Sequence, residues 1–355
     1  MDILSSIKDE ITTLGFSGGF TTVPEFFSWL RKFPLIAKPN PLFFNGTDSY
    51  SFGSLRYTEF TEFMSGKFGV VYLLYREKGD EVGYIFLKTS PKHPTSLLLE
   101  GLLQSIAHAT LKTYGFPKAV PRVLDIVKHP EHGIVIGLER NPGAQLLADY
   151  FKSQVQWGSP SVYNDRVVFS VLAQIATYLA ILEKNIGMNH RDLTGTNVLM
   201  VVPTQSVHQT VNLDSFRWTI RTSQQAILID FGFACVGHPD GKMVISAGDF
   251  LPQIDFCPKE GRDLFLFFAS LWNVAAFRES LTDVGRGLFE KWLHDTTEVS
   301  WADWLITSAK TNLMGMYLLT NAGHFRSSTS APIHVLADIS NAYPEILQFE
   351  FVITN

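Results

Sequence analysis

Cysteine is scarce in this sequence. Cys235 and Cys257 are the only two in 355 residues, too few for a disulfide framework and without the ligand spacing of a metal site. That scarcity points to a reducing compartment. No excess of one charge is present: 29 basic and 34 acidic residues give a formal net charge of −5, spread without long runs. This argues against an electrostatic grip on nucleic acid and against a polybasic membrane patch. Long hydrophobic runs are also missing. The most apolar region, Val167 to Leu182, contains Ser170, Gln174, Thr177 and Tyr178 and falls below spanning length, so no membrane segment is expected. Met1 to Glu10 carries charges where a secretory leader would have an apolar core, so a cytoplasmic or nuclear location is expected. Asn45-Gly46-Thr47 then reads as a turn sequence and not a glycosylation acceptor. No internal repeat is found, and a partner has to be argued from a site.

What is present divides by pattern. The length suits one bilobal unit or two domains, and a chain of about 300 residues buries roughly 75% of its unfolded surface. Residues 1 to about 50 are aromatic and interrupted by Gly18-Gly19, Pro24, Pro34, Pro39 and Pro41. Phe26, Phe27, Trp29, Leu30 and Phe33 are too apolar for a disordered tail, so a short helix and loops packed on the main body are expected. From Thr58 to Lys88 the chain reads as strands, with Gly66-Lys67-Phe68-Gly69 as one turn and Lys78-Gly79-Asp80 as the next. Pro94 and Ser96 open an apolar helix ending by Gly115, and Val120 to Val127 and Gly133 to Arg140 read as two further strands. Asn164 or Asp165 is expected to cap a helix whose residues Val168, Leu172, Ile175, Leu179 and Leu182 keep one apolar face. Gly187 is its stop signal.

That helix delivers the chain into His190-Arg191-Asp192-Leu193, with Asn197 five residues after Asp192. This is the H-R-D-L-x-x-x-N loop, in which the aspartate receives a substrate hydroxyl proton and the asparagine holds magnesium. About thirty residues then read as two strands joined by an elongated hairpin, and the second, Ala226 to Ile229, runs into Asp230-Phe231-Gly232. An aspartate at that place chelates magnesium on the β- and γ-phosphates. Upstream, Gly66, Gly69 and Val71 fit the tail of G-x-G-x-x-G-x-V, where glycines let the backbone approach phosphate oxygens closely. Met64 occupies the first glycine slot. Glu100 is the sole acid between Glu81 and Asp125, and so the one candidate in that span to pair with Lys88. Downstream, Asp263 heads an all-apolar helix, Trp292, Trp301, Trp304, Leu305, Leu313 and Leu318 mark two more from Leu281 onward, and Ile333 to Ala342 a last one.

On these motifs and their order, the sequence resembles the protein kinase superfamily from about Thr58 to about Ala276. Thr194 in place of a lysine, the long hairpin before Asp230 and the lack of an A-P-E motif resemble the haspin-type atypical kinases and the kinases of large DNA viruses. The resemblance implies an α+β bilobal fold, with a small antiparallel β lobe carrying one main helix and a larger, mostly helical lobe. It sets 1–57 as an N-terminal extension, 58–140 as the small lobe and 141–355 as the large lobe with C-terminal helices. It implies ATP and magnesium as cofactors and a protein serine or threonine hydroxyl as acceptor. Asp192 would be the catalytic base, Asn197 and Asp230 the metal ligands, and Lys88 with Glu100 the pair that fixes the α- and β-phosphates. Gly66, Gly69 and Val71 would cover the triphosphate, Leu138 would guard the back of the adenine pocket, and Glu139 to Asn141 would bond the base. Phe86 replaces the alanine expected to face the adenine. Asp263 would bond the backbone of the H-R-D loop. No nucleic-acid or membrane partner is implied; the extension is left as a surface for docking to a larger assembly, and a viral source would allow packaging in the virion. Two other readings stay open: a pseudokinase scaffold, and a small-molecule phosphotransferase of the aminoglycoside or choline kinase type.

Overall fold

A computed structural model of the chain describes residues 3–13, 19–22, 25, 28, 43–44, 49–52, 54–66, 69–90, 94–129, 133–202, 206–237, 243–247, 257–293 and 329–352. Lys67, Phe68, the aromatic residues Phe26, Phe27, Trp29 and Phe33, and the helix markers Trp301, Trp304, Leu305, Leu313 and Leu318 lie outside them. The fold mixes helices with antiparallel sheets. The chain divides into two compact units, one formed by 1–109, 120–142 and 246–249, the other by 110–119, 143–245 and 250–355.

The first unit opens with helix α1 (Ile3–Thr13) and is built on a sheet of β1 (Phe43–Phe44), β2 (Ser49–Phe52), β3 (Leu55–Gly66), β4 (Gly69–Lys78), β5 (Glu81–Thr89), β6 (Val123–His129) and β7 (Gly133–Glu139). Their spatial order is β1-β2-β3-β4-β5-β7-β6. Alternation along the strands divides the faces. Leu55, Tyr57, Leu74, Ile85, Leu87, Val127 and Val135 form one buried cluster, which leaves Phe86 and Lys88 on the opposite face. Strand β3 pairs with β4 through two irregularities, between Thr58 and Thr61 and between Glu62 and Met64. Glu59, in the first of them, has φ 58°, as bulged residues can. Within the sheet Arg76 donates from Nε to Asp125 Oδ2 at 2.6 Å and from a terminal nitrogen to Oδ1 at 2.9 Å, and the Tyr57 hydroxyl donates to Oδ2 at 2.9 Å. The bidentate geometry satisfies a buried charge that would otherwise oppose folding.

Helix α2 (Pro94–Thr113) buries nearly every side chain from Leu97 to Ala107. A Cβ on Gly101 would meet the side chains of Ile126 and Ile136 at 3.2 Å, so this glycine lets the helix lie close on β6 and β7.

The second unit is organised around α4 (Val162–Ile186), which follows β8 (Gln145–Leu146) and α3 (Leu147–Gln154). By length and composition α4 is apolar enough to cross a membrane, but 83% of its most apolar window is buried within the protein. Its cap differs from both candidates. Ser161 accepts from the Asn164 backbone at 3.1 Å, because the other two side chains have long-range tasks: the Asn164 amide donates to Ser159 and Ser280 carbonyls, and Asp165 accepts from the Thr282 backbone and the Tyr343 hydroxyl. Gly187 ends the helix at φ 58°, and a Cβ there would meet the Gly237 carbonyl at 2.2 Å.

After α4 come β9 (Met188–Asn189), β10 (Val198–Val201), β11 (Val207–Leu213), β12 (Phe216–Thr222), β13 (Gln225–Leu228), β14 (Cys235–Gly237) and β15 (Met243–Ser246). Helices α5 (Arg262–Trp272), α6 (Ala275–Ser280), α7 (Asp283–Trp292) and α8 (Pro332–Ala342) follow, then β16 (Leu347–Phe351). Aromatic rings weld the helices: Phe268 stacks on Trp292 at 4.7 Å and Phe169 on Tyr343 at 4.6 Å. The stretch from Val198 to Ile229 departs from the two expected strands. β10 pairs with β13, while β11 and β12 make a separate hairpin whose far edge is closed by β16. Trp218 ties that hairpin to α4, donating from Nε1 to Thr177 Oγ1 at 2.8 Å in full burial.

Candidate active site

Each unit carries part of the predicted constellation. In the first, β3 ends at Gly66 and β4 starts at Gly69, its register partner. Gly69 has φ 153°, and a Cβ there would lie 1.9 Å from the Thr89 carbonyl oxygen. Only glycine fits. Lys88 Nζ lies 2.7 Å from Glu100 Oε1, with the lysine side chain 15% and the glutamate side chain 5% exposed. Glu100 stands beyond the first turn of α2, so an attraction to the helix N-terminus does not account for its place, since that effect fades within one turn. Val71 is the register partner of Lys88, and Leu138 that of Phe86. The Glu139 N–H donates to the Arg122 carbonyl at 2.9 Å, so it is already engaged within the protein; Asn141 follows β7 and is half-buried.

In the second unit the loop after β9 is held from below by a buried carboxylate. Asp263, fully buried in the first turn of α5, accepts from the His190 N–H at 2.7 Å and the Arg191 N–H at 2.8 Å. Arg191 sits at φ 65°, a conformation that costs energy in a residue with a Cβ, and its Nε donates to the Phe233 carbonyl at 2.7 Å. His190 donates from Nε2 to the Ile229 carbonyl at 2.9 Å, and its ring packs against Phe231 at 4.9 Å. Loop and D-F-G segment are thereby locked together.

Within this frame Asn197 is folded back on Asp192. Its Nδ2 donates to the Asp192 backbone carbonyl at 2.7 Å and to Oδ2 at 2.9 Å. The amide nitrogen is thus committed, which leaves Oδ1 as the acceptor end. Asn197 and Asp230 are joined through the backbone, since the Ile229 N–H donates to the Asn197 carbonyl at 3.0 Å. Asp230 has φ 63°. Burial pushes the Asp192 carboxyl above the ordinary aspartate range; Asp230 and Asp263 add to this, against His190 and the Asn197 hydrogen bond. Thr194 bonds Thr196 between hydroxyls at 2.8 Å and supplies no cation.

Among the described residues no group of three or more His, Cys, Asp or Glu side chains could hold a metal ion. Magnesium does not need one, because it is held by one or two carboxylates together with substrate phosphates and water. An asparagine carbonyl and the Asp230 carboxylate are the hard oxygen donors that suit it.

Sequence reasoning missed a second tier under the loop. Asn189, fully buried, donates to Glu183 Oε1 at 3.1 Å and to the Lys259 carbonyl at 3.3 Å, and accepts from the Lys259 N–H at 2.7 Å. Burial, with Asp263 and Glu260 nearby, pushes the Glu183 carboxyl well above its usual range. No local sequence signal marks this tier, because the partners of Asn189 at Lys259 lie 70 residues away. Cys235, the register partner of Asn189, is joined to Cys257, with Cα atoms 6.4 Å apart and both residues fully buried. A separation of 22 residues gave no hint of the pairing. A disulfide closing a loop of that length stabilises by about 3 kcal/mol through the unfolded chain. Reduction should therefore lower the denaturant midpoint by that equivalent, and a Cys235→Ser, Cys257→Ser variant should show the same loss with no further response to reductant. Equal midpoints with and without reductant would rule this out.

No protein-family model matches the chain, and no curated protein matches it. Among solved structures it is similar to the BubR1 kinase domain, at a TM-score of 0.39 and 14% identity, over 65% of this chain and 60% of that one.

Proposed function

We propose that the chain is an ATP- and magnesium-dependent phosphotransferase that phosphorylates serine or threonine hydroxyls of a protein substrate. The observation that carries this reading is the bond between Asn197 and Asp192 at 2.9 Å, in a loop whose backbone is gripped by Asp263. A base has to be positioned before it can work, and phosphoryl transfer asks the protein mainly for positioning and charge. Asp192 would orient the acceptor hydroxyl and take its proton. Asn197, through Oδ1, and Asp230 would hold magnesium, which supplies charge neutralisation at the transferring group. Lys88, fixed by Glu100, would meet the α- and β-phosphates, and the backbone around Gly66 and Gly69 would cover them. Glu139 and Asn141 would border the base. In the resemblance, the chain is of the haspin or large-DNA-virus type.

The test combines binding with turnover. At about 100 times its dissociation constant, magnesium-ATP should stabilise the protein by about 2.7 kcal/mol in a thermal-shift assay, and a peptide array should show transfer to serine or threonine. No shift would replace this reading with a scaffold that has lost nucleotide. Turnover on small alcohols with none on peptides would replace it with a small-molecule phosphotransferase.

A further inference from the structure

The irregularity in β3 between Glu62 and Met64 has no counterpart in the glycine-turn pattern. It takes Phe63 out of register: Glu62 pairs with Tyr72 and Met64 with Val71, and Phe63 is left over. A bulge of this kind re-aims a side chain. Here the Phe63 ring comes to lie 4.8 Å from that of Phe86, tilted by 47°. Phe63 is 58% exposed and Phe86 half-buried, so both rings keep open surface.

Their surroundings show what that surface faces. Along β5, Ile85 and Leu87 enter the buried cluster, and Phe86 and Lys88 stand on the other face. Leu73 and Leu138 are the register partners that flank Phe86, and Val71 and Ile136 those that flank Lys88. One two-residue step along a strand is about 7 Å. This face therefore presents an apolar aromatic pair one such step from an ammonium group held by Glu100. A flat apolar group joined through a short spacer to an anion is the ligand that matches both ends.

We propose that Phe63 and Phe86 form the stacking platform for the base of the nucleoside triphosphate whose phosphates Lys88 takes, and that the platform tolerates any base. This rests on the function proposed above and adds the specificity of the same site. Every nucleobase has a π-face, so stacking does not discriminate between bases as hydrogen bonds to their edges do. Phenylalanine rings carry no polar atom with which to read an edge, and the nearby Glu139 N–H is already donated to Arg122.

The experiment measures binding of magnesium-ATP, magnesium-GTP and magnesium-tripolyphosphate to the full chain and to its Phe63→Ala, Phe86→Ala and Phe86→Leu variants. ATP and GTP should bind the unaltered chain within a few-fold of each other. Each alanine variant should bind both nucleotides about tenfold or more weakly, the size of one lost base–aromatic contact, with tripolyphosphate affinity unchanged. Phe86→Leu keeps apolar bulk at the strand, so it should melt like the unaltered chain and still show the nucleotide loss. Tighter or unchanged ATP binding in the variants would overturn the platform. A preference for ATP over GTP of about 100-fold or more, the size that edge reading gives, would overturn its tolerance. Both outcomes leave the phosphotransferase reading standing. An unaltered chain that bound neither nucleotide nor tripolyphosphate would remove that reading and this one together.

Discussion

Asp192→Asn is expected to lower phosphotransfer by about 10²-fold or more, the contribution of a positioned general base, while magnesium-ATP binding persists. The substitution is nearly isosteric, and the loop has reasons to keep its shape. Asn197 donates to the backbone carbonyl of residue 192 at 2.7 Å, which the change does not touch, and an asparagine there still offers an oxygen to the second bond at 2.9 Å. What disappears is the carboxylate that can receive a proton. Since burial already opposes the charge on Asp192, removing it should not destabilise the fold. Initial rates on a phosphorylatable peptide, beside melting curves with and without nucleotide, measure both halves of the expectation. Turnover equal to the unaltered chain would sink the assignment of the base.

Asp263→Ala should act on the same loop through stability. Two backbone N–H groups, of His190 and Arg191, now end on one buried carboxylate. Deleting it leaves both donors without an acceptor in a place water does not reach. A hydrogen bond to a charged group contributes about 1.5 to 3 kcal/mol and an orphaned buried donor costs a similar amount, so a loss of about 3 to 5 kcal/mol is expected. The positive φ of Arg191 also loses the contact that holds it. Asp263→Asn retains one acceptor oxygen but turns an NH₂ toward a backbone N–H, and should fall between the two. Chemical denaturation gives the comparison directly: the midpoint should drop with little change in slope, and a drop worth less than about 1 kcal/mol would show that the loop is held by something else.

The parts of this molecule that could be read from sequence are those in which a residue type is forced by a local need. Gly187 ends α4 because a left-handed terminator favours glycine, and the contact with Gly237 admits nothing larger. Asp192, Asn197, Asp230 and Asp263 stand at spacings set by a loop, a strand pair and a helix start, and the contacts around Asp192, Asn197 and Asp263 follow that order. Glu100 could be picked out by elimination, as the sole acid in its stretch. The illegible parts depend on partners remote in sequence. β1 and β2 have two and four residues, too few for a period-two pattern to emerge, yet they extend the first sheet. The cap of α4 went to Ser161 because Asn164 and Asp165 were claimed by α6, α7 and the approach to β16, which no local rule anticipates. Asn189 and the cysteine pair are likewise explained by what lies across from them. Phe63 needed a bulge, and a bulge leaves little trace in composition.

β16 has a bearing on how the chain acquires its shape. It closes the edge of a hairpin inserted between Asn197 and Asp230, pairing Phe351 with Phe216 and Leu347 with Ile220. During synthesis β11 and β12 emerge well before their third strand, and everything from Gln225 to Ile346 has to be made before the edge is covered. In that interval β12 offers an open row of backbone donors and acceptors beside Phe216 and Trp218, the kind of edge on which strands of neighbouring chains can add. Pairing of such long sequence separation is also slow, because loop closure has to precede any gain from contact. The hairpin that looks like a peripheral insertion is therefore a place where a nascent chain is open to exchange of β16 with a second copy, and the segment between Asn197 and Asp230 is completed only when β16 has paired.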